Sequence, residues 1–445
     1  MSKKDRTEPR RLKGFRDYMP DVMAARFHIM DIIRSEATLA GFQVIGTPAL
    51  EYAVTLLGQG EETDKQVYRF VDHGERQVAL RFDLTVPFAR FVAEHQGELV
   101  FPFKKLQMGD VWRGENPQKG RFREFMQCDL DIIGVDAAAA DIEILSVFQR
   151  ILTRVACGPF TMAVGDRVVL SALIRRCLPD IPPGGETAAL ILLDKLAKIG
   201  APAVVEQLAA IEGATALGAE TLLGLVTTRT GGGDTDLAPV RRELADDESA
   251  QAEIRRLELV LAATRGAIPE TTGQLRLDLT IARGLGYYTG IVFETTLDQL
   301  PGFGSISSGG RYNNLASRFS SRELPGVGGS VGLDRLVAGL EELGRVEAAP
   351  AKPVYVAVAT EDALAYAAAL AGRLRAAGIA TDFGLAPKLA AQFKHADRRG
   401  CPYVVTVGSS ERESDTYALK SMGEGDEMRD LPAVGIVDEL RRRGL

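Results

Sequence analysis

The chain has 445 residues, of which 46 % are apolar and 25 % charged. That balance suits a globular protein of two to four domains and excludes disordered, collagen-like and disulfide-scaffold architectures. Its 53 Lys and Arg against 60 Asp and Glu give a formal net charge of −7, which argues against blanket binding to nucleic acid but not against a local basic patch. No apolar run approaches the ~20 residues that span a bilayer. The charged opening MSKKDRTEPRR has no apolar core of a secretory signal, so a cytoplasmic protein without membrane association is expected.

The elements follow in chain order. Val22, Ala25, Ile29, Ile32, Ile33 and Ala37 keep helical spacing up to Gly41. Residues 42–134 read as short strands, and 141–156 as a helix with Ile142, Leu145, Leu152 and Val155 on one stripe. From 167 to 265 the chain is Ala/Leu-rich and helical, broken by PPGG and GGG. Residues 274–334 return to glycine-rich strands and close in a helix from Val331. A linker is expected over 346–352. Beyond it, strand and helix alternate through VYVAVA, YVVTVG and YALKSM to a last helix, which predicts a separate α/β domain over 353–445.

Cys128, Cys157, Cys177 and Cys401 form no CxxC pair, and His28, His73, His95 and His395 have no HxxxH spacing. Neither a disulfide framework nor a protein-held metal is expected.

Three segments place polar residues on one face of an apolar strand. Alternation sets Arg81, Asp83 and Thr85 against Leu80, Phe82 and Leu84. It sets Phe125, Gln127, Asp129 and Asp131 against Met126, Cys128, Leu130 and Ile132, and Arg276, Asp278 and Thr280 against Leu275, Leu277, Leu279 and Ile281. One wet face of an antiparallel sheet accounts for each alone; three suggest the floor of a polar pocket. The run from Phe101 to Glu115, the turn Asn116–Gly120 and the return Arg121–Phe125 predict a hairpin carrying Arg113, Lys119, Arg121 and Arg123. Planar guanidinium groups there suit polyphosphate, although a solvated basic loop reads equally well. ARGLGYYTG, GGR and GVGGSVG supply glycines that permit close backbone approach to a ligand. The phosphate-binding GxxxxGK[ST] motif is missing.

Together these segments resemble the class II aminoacyl-tRNA synthetases, and specifically the histidyl-tRNA synthetase family, over nearly the whole chain. LKGFRDYMP resembles the family's opening signature and GFQVIGTPALE, with Pro48, the first class motif at a dimer interface. VWRGENPQKGRFREF corresponds to the second motif and GGSVGLDRL to the third. LRFDLT and ARGLGYYTG resemble the histidine-specific signatures. Gly286 stands where the family commonly has Asp, and Asp83 where many members carry Glu.

The resemblance implies an α+β fold: a six- to seven-stranded antiparallel sheet with flanking helices over 1–345, a helical insertion at 167–265, and a C-terminal anticodon-binding α/β domain. It implies a homodimer that joins L-histidine to tRNA(His), using ATP with substrate-borne Mg2+. Arg113 and Arg283 would hold the α-phosphate and the amino acid carboxylate as the catalytic pair. Arg121 and Arg335 would take the outer phosphates, with Glu115 and Phe125 meeting adenine. Asp83, Thr85 and Gln127 would serve the ammonium, Asp131 and Tyr288 the imidazole, and Tyr287 the pocket wall. Lys388, Lys394, Arg398 and Arg399 form a candidate basic face toward tRNA, with an ordinary solvated helix as the alternative. A regulatory, non-catalytic relative governing ATP phosphoribosyltransferase, another class II synthetase, and a silent sensor of uncharged tRNA are the competing readings.

Overall fold

The structure, a computed structural model, describes residues 7–58, 64–118, 120–268, 270–282, 288–346, 352–384, 386 and 388–445. The chain divides into two compact units, Met1–Glu347 and Ala348–Leu445.

The larger unit is organised around a sheet of eight strands among the described residues, in the order β1-β5-β6-β11-β10-β9-β7-β8. These are β1 (Gln43–Val44), β5 (Phe103–Trp112), β6 (Glu124–Ile133), β7 (Phe160–Asp166), β8 (Gly273–Leu277), β9 (Ile291–Leu297), β10 (Ser307–Tyr312) and β11 (Gly326–Gly332). The interior pairings are antiparallel, whereas β1 joins β5, and β8 joins β7, in parallel. The count exceeds the six or seven strands implied by resemblance because these short edge strands extend both sides. A separate three-stranded sheet holds β2 (Leu50–Tyr52), β4 (Gln77–Leu80) and β3 (Arg69–Val71).

The first predicted helix spans Pro20–Leu39, with proline in its first turn, where a missing N–H costs nothing, and Gly41 at φ 79° beyond its end. Helix Ala138–Arg154 buries Ile144, Leu145, Phe148, Ile151 and Leu152 against the sheet. The ring of Phe148 meets that of Phe293 edge-on at 5.2 Å. The helices of 167–267 share one continuous apolar core with Phe160, Met162 and Val164 of β7. Asp166, Thr215, Asp236 and Asp247 cap four of these helices by accepting a backbone N–H.

The stretch 42–134 is not all strands. Strand β4 stops at Leu80, and Thr85–His95 is a helix burying Val86, Phe88, Ala89 and Val92. LRFDLT is therefore a strand-to-helix turn, and period-two alternation does not place its side chains. A proline in the first turn and apolar residues at helical spacing were the available signals. In the same way β8 ends at Leu277, so only the first half of 275–281 is strand.

The smaller unit has a five-stranded sheet in the order β13-β12-β14-β15-β16, built from β12 (Val354–Val358), β13 (Thr381–Phe383), β14 (Tyr403–Val407), β15 (Tyr417–Ser421) and β16 (Glu427–Leu431). Strand β12 pairs in parallel with β13 and β14, and the remaining pairs are antiparallel. Helices Leu364–Ala376 and Ala433–Arg442 pack into one core and Leu389–Arg398 into a second. Strand β16 and the short helix Ser409–Ser414 were not anticipated from sequence. Of the expected linker, 347–351 lie outside the described residues.

Candidate active site

The long β5–β6 hairpin forms because the turn after Asn116 lets two ten-residue strands pair from Trp112↔Glu124 to Phe103↔Ile133. Pairing fixes which polar groups meet. Lys105 faces Asp131, Gln107 faces Asp129 and Gly109 faces Gln127. On the other flank of β6, Gly328 pairs with Asp131, Ser330 with Asp129 and Gly332 with Gln127. One face of the central sheet is thus a buried polar floor, and its floor strand follows the predicted alternation.

Where the hairpin opens, Arg113, Glu115, Arg121, Phe125, Gln127 and Arg335 line one open cleft with about 750 Å³ of empty space. The Arg113 guanidinium lies between the rings of Phe82 and Phe125, 4.4 and 5.0 Å from their centroids. Its Nε donates to the Phe82 carbonyl at 3.1 Å. This clamp fixes the guanidinium plane before any ligand arrives. Arg121 pairs with Glu115 at 3.4 Å. Arg335 Nη2 donates to the Phe303 carbonyl at 2.6 Å. Arg123 instead braces the loop, donating to the Glu115 carbonyl at 3.0 Å.

Asp334 is a residue that the sequence reading did not single out. Buried at the start of helix Leu333–Glu342, it accepts from the Tyr18 hydroxyl, from Arg26 and, at 2.8 Å, from the Met126 N–H. The opening signature, the first helix, the floor strand and the third motif thereby converge on one carboxylate. Burial, followed by the Asp334 charge, pushes the Tyr18 phenol well above its ordinary range.

Toward the interior, Lys105 Nζ donates to Asp131 Oδ2 at 2.7 Å and the Tyr312 hydroxyl to Oδ1 at 2.5 Å. Lys105 is 0 % exposed and Asp131 2 %. Each Asp131 oxygen thus has one donor within the protein and keeps further lone pairs with which to accept. Lys105 was missed although Lys105 and Asp131 lie equally far from Gln118, which would have paired them by counting outward from the turn. Asp83 accepts the Val86 N–H at 3.0 Å, and burial raises its pKa against the lowering charges of Arg113 and Lys105. Asp129, also buried, is pushed up to about 7, first by burial and then, against the lowering charge of Lys105, by the charge of Asp131.

Gln127 Nε2 donates to Ser330 Oγ at 2.9 Å. Thr85 is half-buried at its helix start, and Tyr288 packs against Gly310. Arg81 is structural, donating to the carbonyls of Asp110 and Thr47 at 2.8 and 2.7 Å. Lys119, Arg283, Gly286 and Tyr287 lie outside the described residues.

Of the glycine-rich motifs, GGR and GVGGSVG lie in strands, whereas Gly284 and Gly286 of ARGLGYYTG lie outside the described residues. Gly309, Gly310 and the 326–332 glycines are in β10 and β11; Gly332 lines the cleft, whereas the room left at Gly310, Gly326 and Gly328 is taken by the protein's own side chains. A Cβ on Gly328 would stand 2.0 Å from Asp131 Oδ1, one on Gly326 2.5 Å from the Tyr312 ring, and one on Gly310 2.9 Å from Tyr288.

Among the described residues no cluster of three or more His, Cys, Asp or Glu could hold a metal, and no helix is long and apolar enough to cross a membrane. In the smaller unit, Lys394, His395 and Arg398 border a concavity with Tyr355, Asp382 and Phe383. His395 and Arg399 pair with Asp382 at 3.6 and 3.5 Å. Lys388 precedes the same helix.

A mainly antiparallel sheet flanked by helices, with an aromatic-clamped arginine in a cleft at its hairpin mouth, defines a class II aminoacyl-tRNA synthetase core. Residues 14–336 match the family model for histidyl-tRNA synthetase, and 353–443 match that of an anticodon binding domain. The chain belongs to the histidyl-tRNA synthetase family. It is 42 % identical to a histidine–tRNA ligase of Rhodopirellula baltica over 93 % of both chains. With one of Helicobacter hepaticus it shares 39 % identity, over 97 % of this chain and 99 % of that one. Among solved structures, a histidyl-tRNA synthetase from Nostoc superposes with a TM-score of 0.85 at 29 % identity, covering 98 % of this chain and all of that one.

Proposed function

We propose that the chain is a histidine–tRNA ligase, and that the cleft and the polar floor of β6 are its adenylation site. The observation that carries this reading is the position of Arg113. It is held against two aromatic rings at the cleft, where its charge reaches the buried carboxylate of Asp83. A histidine carboxylate is already ionised at pH 7, so its attack on the α-phosphorus of ATP needs no general base. An oxygen–phosphorus bond forms, the bond to the β-phosphate bridge breaks, and pyrophosphate leaves. The terminal hydroxyl of the tRNA then takes the histidyl group and AMP leaves. The protein must hold two anions in line and offset charge growing at phosphorus.

In this proposal Arg113 and Arg283 hold the α-phosphate and the amino acid carboxylate, and Arg121 and Arg335 the outer phosphates of ATP, whose Mg2+ arrives with the nucleotide. Glu115 and Phe125 take adenine. Asp83, Thr85 and Gln127 serve the ammonium of histidine, Asp131 and Tyr288 its imidazole, and Tyr287 forms the pocket wall. The C-terminal unit, with Lys388, Lys394, Arg398 and Arg399, serves tRNA(His), and the enzyme works as a cytoplasmic homodimer. The division of the chain into a catalytic body over 1–345, with its 167–265 insertion, and an anticodon-binding domain over 353–445 belongs to the same proposal.

Amino-acid-dependent pyrophosphate exchange across all twenty amino acids tests it. Exchange is expected with histidine alone, and charging with the cognate tRNA alone. Exchange supported by another amino acid in place of histidine overturns the reading.

A further inference from the structure

The opening segment 12–20 holds no residue of the adenylation site proposed above, yet it is fastened to the walls of that site. The Gly14 carbonyl accepts the Arg123 N–H at 2.8 Å. Gly14 has φ +89°, and a Cβ there would stand 2.8 Å from Arg123 Cγ, so glycine lets the backbone lie this close to the hairpin. Further along, the Tyr18 hydroxyl donates to Asp334 at the start of helix Leu333–Glu342. Arg16 therefore sits between one anchor on the hairpin and one on the helix that carries Arg335.

The Arg16 side chain is half-buried, with its guanidinium carbon over two rings, 4.7 Å from the Tyr18 centroid and 5.1 Å from that of Phe122. Among the described residues it forms no hydrogen bond or ion pair. Acidic side chains of the same segments are engaged elsewhere: Asp17 with Arg11 at 3.5 Å, Glu115 with Arg121 at 3.4 Å, and Asp334 with Arg26. Stacking occupies the faces of a guanidinium and leaves its N–H donors, which lie in the plane, free. A cation held in this way without a counter-ion is prepared for an anion and loses little entropy in binding one.

The two rings say which anion. Phe122 lines the cleft next to Arg121. In the same turn, a Cβ on Gly120 would stand 3.6 Å from Arg335 Cγ, so the turn packs on that arginine. Tyr18 is tied to Asp334, the neighbour of Arg335. Both supports of Arg16 thus belong to the end of the cleft where Arg121 and Arg335 stand, whereas Arg113 lies against Phe82 and Phe125. We propose that Arg16 is a third cation for the outer phosphates of ATP and for the pyrophosphate that leaves. This assignment rests on the reading of the cleft as an adenylation site. Charge grows on the leaving pyrophosphate as its bond to the α-phosphorus breaks, and a guanidinium already in place offsets it without reorganisation.

The test measures histidine-dependent pyrophosphate exchange by the full chain and by Arg16→Met and Arg16→Lys. AMP, which keeps adenosine and the α-phosphate but lacks the outer phosphates, serves as competitive probe. Arg16→Met is expected to raise the KM for ATP and for pyrophosphate about 10-fold, as for loss of a charge-assisted bond. The Ki of AMP and the KM for histidine should stay within about twofold, because neither ligand reaches the outer phosphates. Arg16→Lys should recover part of the loss, since an ammonium keeps the charge but not the planar fork. Unchanged KM values for ATP and pyrophosphate overturn the assignment. So does an AMP Ki that rises in step with them, which would make Arg16 a brace for the whole cleft. A loss confined to tRNA charging also overturns it and gives Arg16 to a nucleic-acid phosphate. Should Arg16→Met fail to fold, Arg16→Lys decides by the same comparison. A wild-type protein without histidine-dependent exchange fails earlier and removes the proposed function itself.

Discussion

Replacing Lys105 by Met isolates the energetics of the buried floor. Methionine keeps most of the aliphatic stem that packs beside Phe88, whose ring centroid is 4.8 Å from Nζ, but it removes the charge. Asp131 would keep only the Tyr312 hydroxyl, with the carboxylates of Asp129 and Asp83 near it. Breaking a buried ion pair by removing one partner costs about 3–5 kcal/mol. With a urea slope of roughly 3 kcal/mol/M for a unit of this size, the midpoint of the larger unit should fall by about 1–1.7 M. Lys105→Met combined with Asp131→Asn removes both charges and should recover most of that loss, because a neutral pair carries no uncompensated desolvation. Urea unfolding of the two single variants and the double variant, followed by tryptophan fluorescence, closes the cycle. Trp112 ends β5, so the signal reports on this unit. A loss below about 1 kcal/mol for Lys105→Met, or strict additivity in the cycle, refutes the argument that this pair neutralises the floor.

Three further outcomes are expected. Gly328→Ala places a methyl 2.0 Å from Asp131 Oδ1 and 2.6 Å from the Leu130 carbonyl; it should cost about 1–3 kcal/mol or more by overpacking and weaken histidine-dependent exchange. Gly372→Ala, in a helix with nothing within 4 Å of the added carbon, should instead stabilise by roughly 0.4–1 kcal/mol in thermal unfolding. For pH, the Asp129 carboxyl rises from 3.8 to about 7 on folding, so between those values the native state binds more protons than the unfolded chain. Stability should therefore be fully present below about pH 4 for this group and decline as pH rises toward 7. Asp129→Asn should flatten that part of the stability profile; an unchanged slope would show that Asp129 does not titrate in this range.

The parts of the fold legible in the sequence were those set by local pattern. Apolar residues at helical spacing gave the helix from Pro20, and the turn after Asn116 gave the hairpin that carries the arginines. Alternation along β6 correctly put Gln127, Asp129 and Asp131 on one face, because that strand runs unbroken through them. The same rule failed for LRFDLT, where a strand ends and a helix begins within six residues. A period of two has no meaning across such a change.

What the sequence by itself determined is therefore a set of motifs, their order, and the family to which they point. Only the tertiary structure decided who meets whom. It gave Asp131 to Lys105 and Tyr312, and made Asp334 the meeting point of segments more than three hundred residues apart in the chain. It filled the space beside Gly310, Gly326 and Gly328 with the chain's own side chains, and it left Gln107, Gln127 and Asp129 with open acceptors. The physical reason is that partnership between buried charges depends on strand register and on what else competes for each lone pair. Those are properties of packed neighbours, which distance along the chain does not encode.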